Sequence, residues 1–286
     1  MNRPALKYNG GKFRLREWIL SHFPKHQVYV EMSCGASSVL LSKDRSKVEV
    51  ANDLDGNITT FFSVLRDEPK KLIRKISLTP YSERSLKYAL DTIDSTEDPI
   101  DRAWKFYTIC WMSMRANDVR KSNIDFRAKG NIAEDGGHNP ARLFSKIKHL
   151  YKISERLRGV FILEKNAIEL TKIYDSEGTL FYLDLPYLAE SRNTKNLYTK
   201  EFSQVDQHVS VLETLTKIKG MAVVSHYPHP VYDEIFSGWE VVTKSTLANS
   251  MQKRKTRNSN ERVEALYLSP LVSQNLHPTL FQEIAV

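Results

Sequence analysis

Phe181-Tyr182-Leu183-Asp184-Leu185-Pro186-Tyr187 decides how this chain is read. Its first three residues are aromatic or apolar and suit a buried strand. An acid, a rigid proline and an aromatic ring then follow at the strand's C-terminal end. In an open α/β sheet, that end is where ligands bind. A carboxylate that accepts from an amino group, beside a ring that stacks on a flat base, suits chemistry on a nucleobase amine.

Working outward, the same strand-then-acid pattern recurs. Val28-Tyr29-Val30-Glu31 predicts a first parallel strand. Small residues, Met32-Ser33-Cys34-Gly35-Ala36-Ser37-Ser38, then open into a helix expected over Val39–Lys43. Val48–Asp53 predicts a second strand, and Asp53 lies 22 positions after Glu31. That is about the spacing at which a second-strand carboxylate grips ribose hydroxyls. Read otherwise, the turn is an ordinary strand-helix connection, and Asp53 or Asp55 caps the helix expected over Ile58–Arg66. Gly-x-Gly-x-x-Gly is absent, which disfavours a nicotinamide cofactor. Further strands are expected at Val160–Asn166, Thr179–Leu183 and Gly220–Tyr227, with a closing hairpin pair at Trp239–Thr243 and Val263–Leu268. Helices are expected over Arg14–His22 and Ser203–Lys219. His226 ends a strand and reads either as a base or as a structural polar residue.

The chain has 286 residues, a net charge of +8 and a pI near 9.3. It is long enough for one core plus an insertion, and its charge suits a polyanionic partner. Cys34 and Cys110 are too few for a disulfide framework or a zinc set. The N-terminus lacks the apolar core of a signal peptide, and no run reaches a membrane span, so a cytoplasmic protein is expected. From Glu68 to Arg158 helical periodicity persists without a convincing buried strand. Residues 101–158 hold 13 Lys/Arg against 6 Asp/Glu. Arg115, Arg120, Lys121, Arg127 and Lys129 sit there among Asn, Ser and Gly, as basic loops that touch phosphates do. The same residues also suit a solvated helical insertion. Beyond the opening stretch, Ala189–Phe202 carries Arg192 and Lys195, either a loop that closes over a flipped nucleotide or a surface loop.

Four boxes stand in one order: Lys7-Tyr8-Asn9-Gly10-Gly11-Lys12, Tyr29-Val30-Glu31-Met32-Ser33-Cys34-Gly35-Ala36, Asn52-Asp53-Leu54-Asp55 and Asp184-Leu185-Pro186-Tyr187. The ordered set resembles the Dam-type (D12) DNA adenine-N6 methyltransferases, particularly their phage and prophage branch. The resemblance implies a Rossmann-like, mainly parallel seven-stranded sheet of the class I methyltransferase kind. Residues 1–67 and 159–286 would form its catalytic domain, with a helical target-recognition insertion at 68–158. It implies S-adenosylmethionine as cofactor and double-stranded DNA as partner, in a bacterial or phage-infected cell, with the protein acting as a monomer or weak dimer. Tyr8 and Lys12 match the family's N-terminal cofactor box. Glu31 and Gly35 match the methionine-side loop, and Asp53 the ribose-binding acid. Asn166 stands where relatives often carry an acid near the cofactor or base.

By the same resemblance, Asp184 accepts one N–H of the adenine amine, the carbonyl of Leu185 accepts the other, and Tyr187 stacks on the extruded base. Several positions depart from the family pattern. Leu185 replaces the first proline of the Asp-Pro-Pro-Tyr box, although Pro186 still holds residue 185 extended. Met32-Ser33 replaces a Pro-aromatic pair, and Gly35 has no second glycine nearby. These departures leave open a weakened or inactive homologue that serves as a DNA-binding module. Cytosine-N4 methylation follows the same amino-group logic and also stays open.

Overall fold

The computed structural model describes residues 3–8, 10–114, 126–128, 139–185, 205–247 and 261–278, with backbone only at 205–207, 247, 261 and 262. The apolar runs form β1 (Val28–Glu31), β2 (Val48–Asn52), β3 (Val160–Leu163), β4 (Thr179–Leu183), β5 (Met221–His226), β6 (Glu240–Leu247) and β7 (Glu261–Leu268). They join one seven-stranded sheet in the order β3-β2-β1-β4-β5-β7-β6. The first five strands are parallel, and β7 runs antiparallel to both β5 and β6. This is the mainly parallel α/β sheet expected of a class I methyltransferase. Strand β4 is buried at every position. A central strand covered on both faces has no polar side to show, so it reads as a continuous apolar run.

A 3₁₀ turn (Lys12–Arg14) and α1 (Arg16–Leu20) precede the sheet. Between β2 and β3 lie α2 (Gly56–Asp67), α3 (Pro69–Ser77), α4 (Glu83–Thr92), α5 (Pro99–Met112), α6 (Pro140–Ser145) and α7 (His149–Leu157). Later come α8 (Ala167–Tyr174), α9 (Val205–Leu215), α10 (Pro230–Ile235) and α11 (Pro270–Leu276). Successive strand residues point to opposite faces. Tyr29, Ala51, Leu180, Tyr182 and Val223 therefore pack with α1, α2 and the helices up to α7. Val30, Val50, Phe181, Leu183 and Val224 pack with α8, α9 and α10. Among the described residues the helical segment shares the sheet's core, because Phe106, Tyr107 and Ile109 of α5 belong to the same cluster as the sheet's first face. Arg102 also ties α5 to α2, its Nε donating to Asn57 Oδ1 at 2.9 Å.

One expected element is not helical. Residues 39–43 form consecutive turns rather than a helix. Gly35 and Ser37 hold φ of 48° and 49°, so no regular helix propagates from them. Lys43 then turns to Glu49 of β2, with its Nζ 3.0 Å from Oε1. Arg156 of α7 reaches the same buried carboxylate at 2.6 Å and donates to Leu40 O at 2.8 Å, clamping these turns against the insertion. Of the two acids considered as the cap of α2, Asp55 fills the role by accepting from Asn57 N at 2.9 Å.

Candidate active site

Chain order reverses between β1 and β4: β1, β2 and β3 step toward one edge, β4 and β5 toward the other. Connections at the C-terminal ends of β1 and β4 therefore diverge and leave a crevice, the usual ligand site of such sheets. Two short contacts hold the diverging loops together. Met32 N–H donates to Tyr182 O at 2.9 Å, and Asp184 N–H donates to Ser33 Oγ at 3.2 Å.

On the β1–β2 side the small-residue loop is pinned from below. Asp53 accepts from Gly35 N at 2.8 Å and from Asp55 N at 3.0 Å. Burial pushes its carboxyl up to about 6, against the pull of those backbone N–H groups. A Cβ on Gly35 would make only ordinary contact with the Tyr8 ring, 3.5 Å away, so it is the φ of 48° that favours glycine here. Asn52 is the clamp beneath. Its Nδ2 donates to Met32 O and Lys165 O, both at 2.9 Å, and its Oδ1 accepts from Lys165 N at 2.8 Å. Glu31 is buried at the end of β1 and accepts from Leu40 N at 2.9 Å. Burial raises its carboxyl to about 8 despite that hydrogen bond, and the nearby Asp184 charge adds to the rise. Tyr8, Glu31, Gly35 and Asp53 thus gather at one end of the crevice. Asn166 is exposed and caps α8, its Oδ1 accepting from Ile168 N at 2.8 Å.

On the β4–β5 side, Asp184 meets Lys12. Lys12 Nζ lies 2.9 Å from Asp184 Oδ1 and 3.9 Å from Glu264 Oε2 of β7. Burial alone would lower the Lys12 ammonium, but the two carboxylates reverse this and hold it above the ordinary lysine value. Burial pushes Asp184 up to about 6, with Lys12 opposing. Leu185 is buried directly after it. Behind stands a layer of rings. His226 stacks on Tyr232 with centroids 4.0 Å apart, and His208 Nδ1 sits 2.9 Å from the Tyr232 hydroxyl. Burial lowers His226 to about 3, which leaves it neutral and too weak a base for neutral pH. The structural reading of His226 therefore stands.

Sequence reasoning gave no site role to Glu264, Ser33 or Asn52. The signal for Glu264 was available, an acid inside the otherwise apolar run Val263–Leu268. Its meaning was not, because only the β5–β7 pairing of His226 with Ala265 brings that acid beside Lys12. Among the expected DNA-contacting residues, Arg127 donates through Nη2 to Ser113 O at 3.1 Å, and burial lowers its guanidinium. Pro186, Tyr187, Arg115, Arg120, Lys121, Lys129, Arg192 and Lys195 lie outside the described residues. Among the described residues no cluster of His, Cys, Asp and Glu could hold a metal ion, and no helix is long and apolar enough to cross a membrane.

Comparison with known proteins follows the same lines. The family model for D12 class N6 adenine-specific DNA methyltransferases matches residues 8–259. A DNA adenine methylase of Salmonella typhi is 23% identical over 93% of this chain and 95% of its own. One from Escherichia coli K12 is 23% identical over 95% and 98%, and one from Vibrio cholerae 25% identical over 95% and 98%. All three relatives are bacterial, and none bears on the phage and prophage branch expected from the sequence.

Proposed function

The chain belongs to the D12 class N6 adenine-specific DNA methyltransferase family, and on that premise we propose that it methylates N6 of an adenine turned out of duplex DNA, with S-adenosylmethionine as donor. The observation that carries this reading is Asp184, held at the C-terminal end of β4 across the crevice from the loop that Asp53 pins. The residues at the crevice's other end suit such a cofactor chemically. Asp53 accepts hydroxyl donors, Glu31 offers a carboxyl that a bound ammonium would ionise, Gly35 permits close approach, and the Tyr8 ring offers a flat apolar face. Tyr8, Lys12, Glu31, Gly35, Asp53 and Asn166 are the proposed cofactor residues, Asn166 through the start of α8. The cofactor supplies an electrophilic methyl group on a cationic sulfur.

The chain's own residues then handle a poor nucleophile, because the adenine amine's lone pair is delocalised into the ring. Asp184 accepts one N–H and the Leu185 carbonyl the other, which turns the nitrogen toward the methyl carbon. The carboxylate also stabilises positive charge as it develops on nitrogen. Tyr187 stacks on the base. We assign target recognition to 68–158, with Arg115, Arg120, Lys121, Arg127 and Lys129 as DNA contacts, and Arg192 and Lys195 beside the catalytic edge. The protein is proposed to act as a monomer or weak dimer.

The test is transfer of tritium from labelled cofactor to DNA, followed by digestion to nucleosides. Asp184→Ala is expected to retain cofactor binding and lose at least about a hundredfold in transfer. Undiminished transfer by that variant removes Asp184 from the mechanism, and label in cytidine moves the target to cytosine N4. Salt-sensitive DNA binding by the wild type with no transfer under any condition identifies a binding module without chemistry.

A further inference from the structure

We propose that Lys12 is a positioning residue for the methyl-transfer reaction: shared between Asp184 and Glu264, its ammonium fixes one oxygen of Asp184 and keeps that carboxyl ionised to receive the substrate amine. This rests on the acceptor role given to Asp184 above and goes beyond the cofactor contact that the N-terminal box implies for Lys12. The geometry is specific. Lys12 is buried, its Nζ lies 2.9 Å from Asp184 Oδ1, and it starts the 3₁₀ turn that follows Gly10-Gly11. A buried ammonium is stable only when paired, and here two carboxylates share it.

The consequence for protonation follows from the groups packed around Asp184 among the described residues. Lys12 of the 3₁₀ turn favours its charge. Glu264 of β7 disfavours it, as does any charge on Glu31 of β1. Tyr182 of β4 and Tyr232 of α10 are buried phenols. His226 of β5 stays neutral through burial, so it supplies no second cation. Among the described residues Lys12 is thus the positive charge that opposes desolvation of Asp184, whose carboxyl is pushed up to about 6 with Lys12 in place. Without it the carboxyl is protonated at neutral pH. A protonated carboxyl presents an O–H donor and has lost acceptor capacity toward an N–H.

The experiment measures the titration directly, by infrared difference spectroscopy of the carboxyl band against Asp184→Asn in the full chain without DNA. Wild type is expected to titrate near 6. Lys12→Met is expected to titrate about one to three units higher, and Lys12→Arg close to wild type. In methyl transfer, the acid limb of the pH profile should move by the same amount. Lys12→Met would then be roughly twofold to a hundredfold slower at neutral pH and recover on raising pH, beyond any uniform loss from its cofactor contact. Lys12→Gln serves if the Met variant does not fold. Glu264→Gln gives an independent arm, because it should move the Asp184 titration downward. An Asp184 titration unmoved by Lys12→Met or Lys12→Gln overturns the inference and leaves the acceptor role standing. So does a pH-independent loss of transfer that follows a loss of cofactor affinity. Undiminished transfer by Asp184→Ala overturns both.

Discussion

Ser37 is the place where the backbone itself can be tested. It is fully buried in the loop after β1 and holds a φ of 49°, the only described residue other than glycine with a positive value. Its Oγ has no hydrogen-bond partner among the described residues. A residue with a Cβ costs roughly 1–2 kcal/mol in this left-handed region, and a buried hydroxyl without a partner costs about 1 kcal/mol or more. Ser37→Gly removes both costs. Against that stand roughly 0.5–1 kcal/mol for the extra freedom glycine has in the unfolded chain and about 0.8 kcal/mol for the lost buried carbon. The balance is a stabilisation of about 1 kcal/mol, which for a chain of this size is a rise in Tm of roughly 2–4 °C. Scanning calorimetry or urea unfolding checks it, with Ser37→Ala as the control. Alanine keeps the Cβ and its strain but loses the unpaired hydroxyl, so by the same figures it should gain about 1 kcal/mol, close to glycine. A Ser37→Gly variant that is less stable than wild type refutes the reasoning. An alanine variant no more stable than wild type removes the hydroxyl cost from the sum and leaves only the backbone strain.

Glu31 gives a pH test of stability. Its folded value of about 8 lies above the ordinary 4.5, so the native state holds the extra proton between those limits. Its contribution is full below about 4.5 and is lost as pH rises through about 8, so Glu31→Gln should gain stability relative to wild type across that window. Urea midpoints at several pH values measure the gap, and a constant gap rejects the assignment. Asn52→Ala strands three buried backbone groups, on Met32 and Lys165, and should cost about 3 kcal/mol. Equilibrium unfolding reads that directly, and a loss below about 1 kcal/mol would show the clamp to be dispensable.

Much of the architecture could be read along the chain because period and composition are local properties. Four of the five residues of Thr179–Leu183 are apolar or aromatic, as suits a strand covered on both faces, and all five are buried. The absence of strand patterning between the second and third strands matches the helices α2 to α7 that lie there. The turns over 39–43 were missed, since the left-handed Ser37 and the pull of Glu49 on Lys43 leave no mark on helical periodicity. Asn166 fits a cofactor role by position alone, yet an asparagine just before an apolar helix is also a cap, and the cap is what forms.

Strand identity, the acids at strand ends and the helical insertion were thus determined by the sequence itself, through hydrophobic pattern and turn chemistry acting over a few residues. Only the tertiary structure decided which of those acids share a charge. Lys12, Asp184 and Glu264 are separated by most of the chain, and parallel and antiparallel pairing around β5 brings them within 4 Å. Desolvation then sets their protonation, and desolvation belongs to the packed state rather than to any segment of the chain.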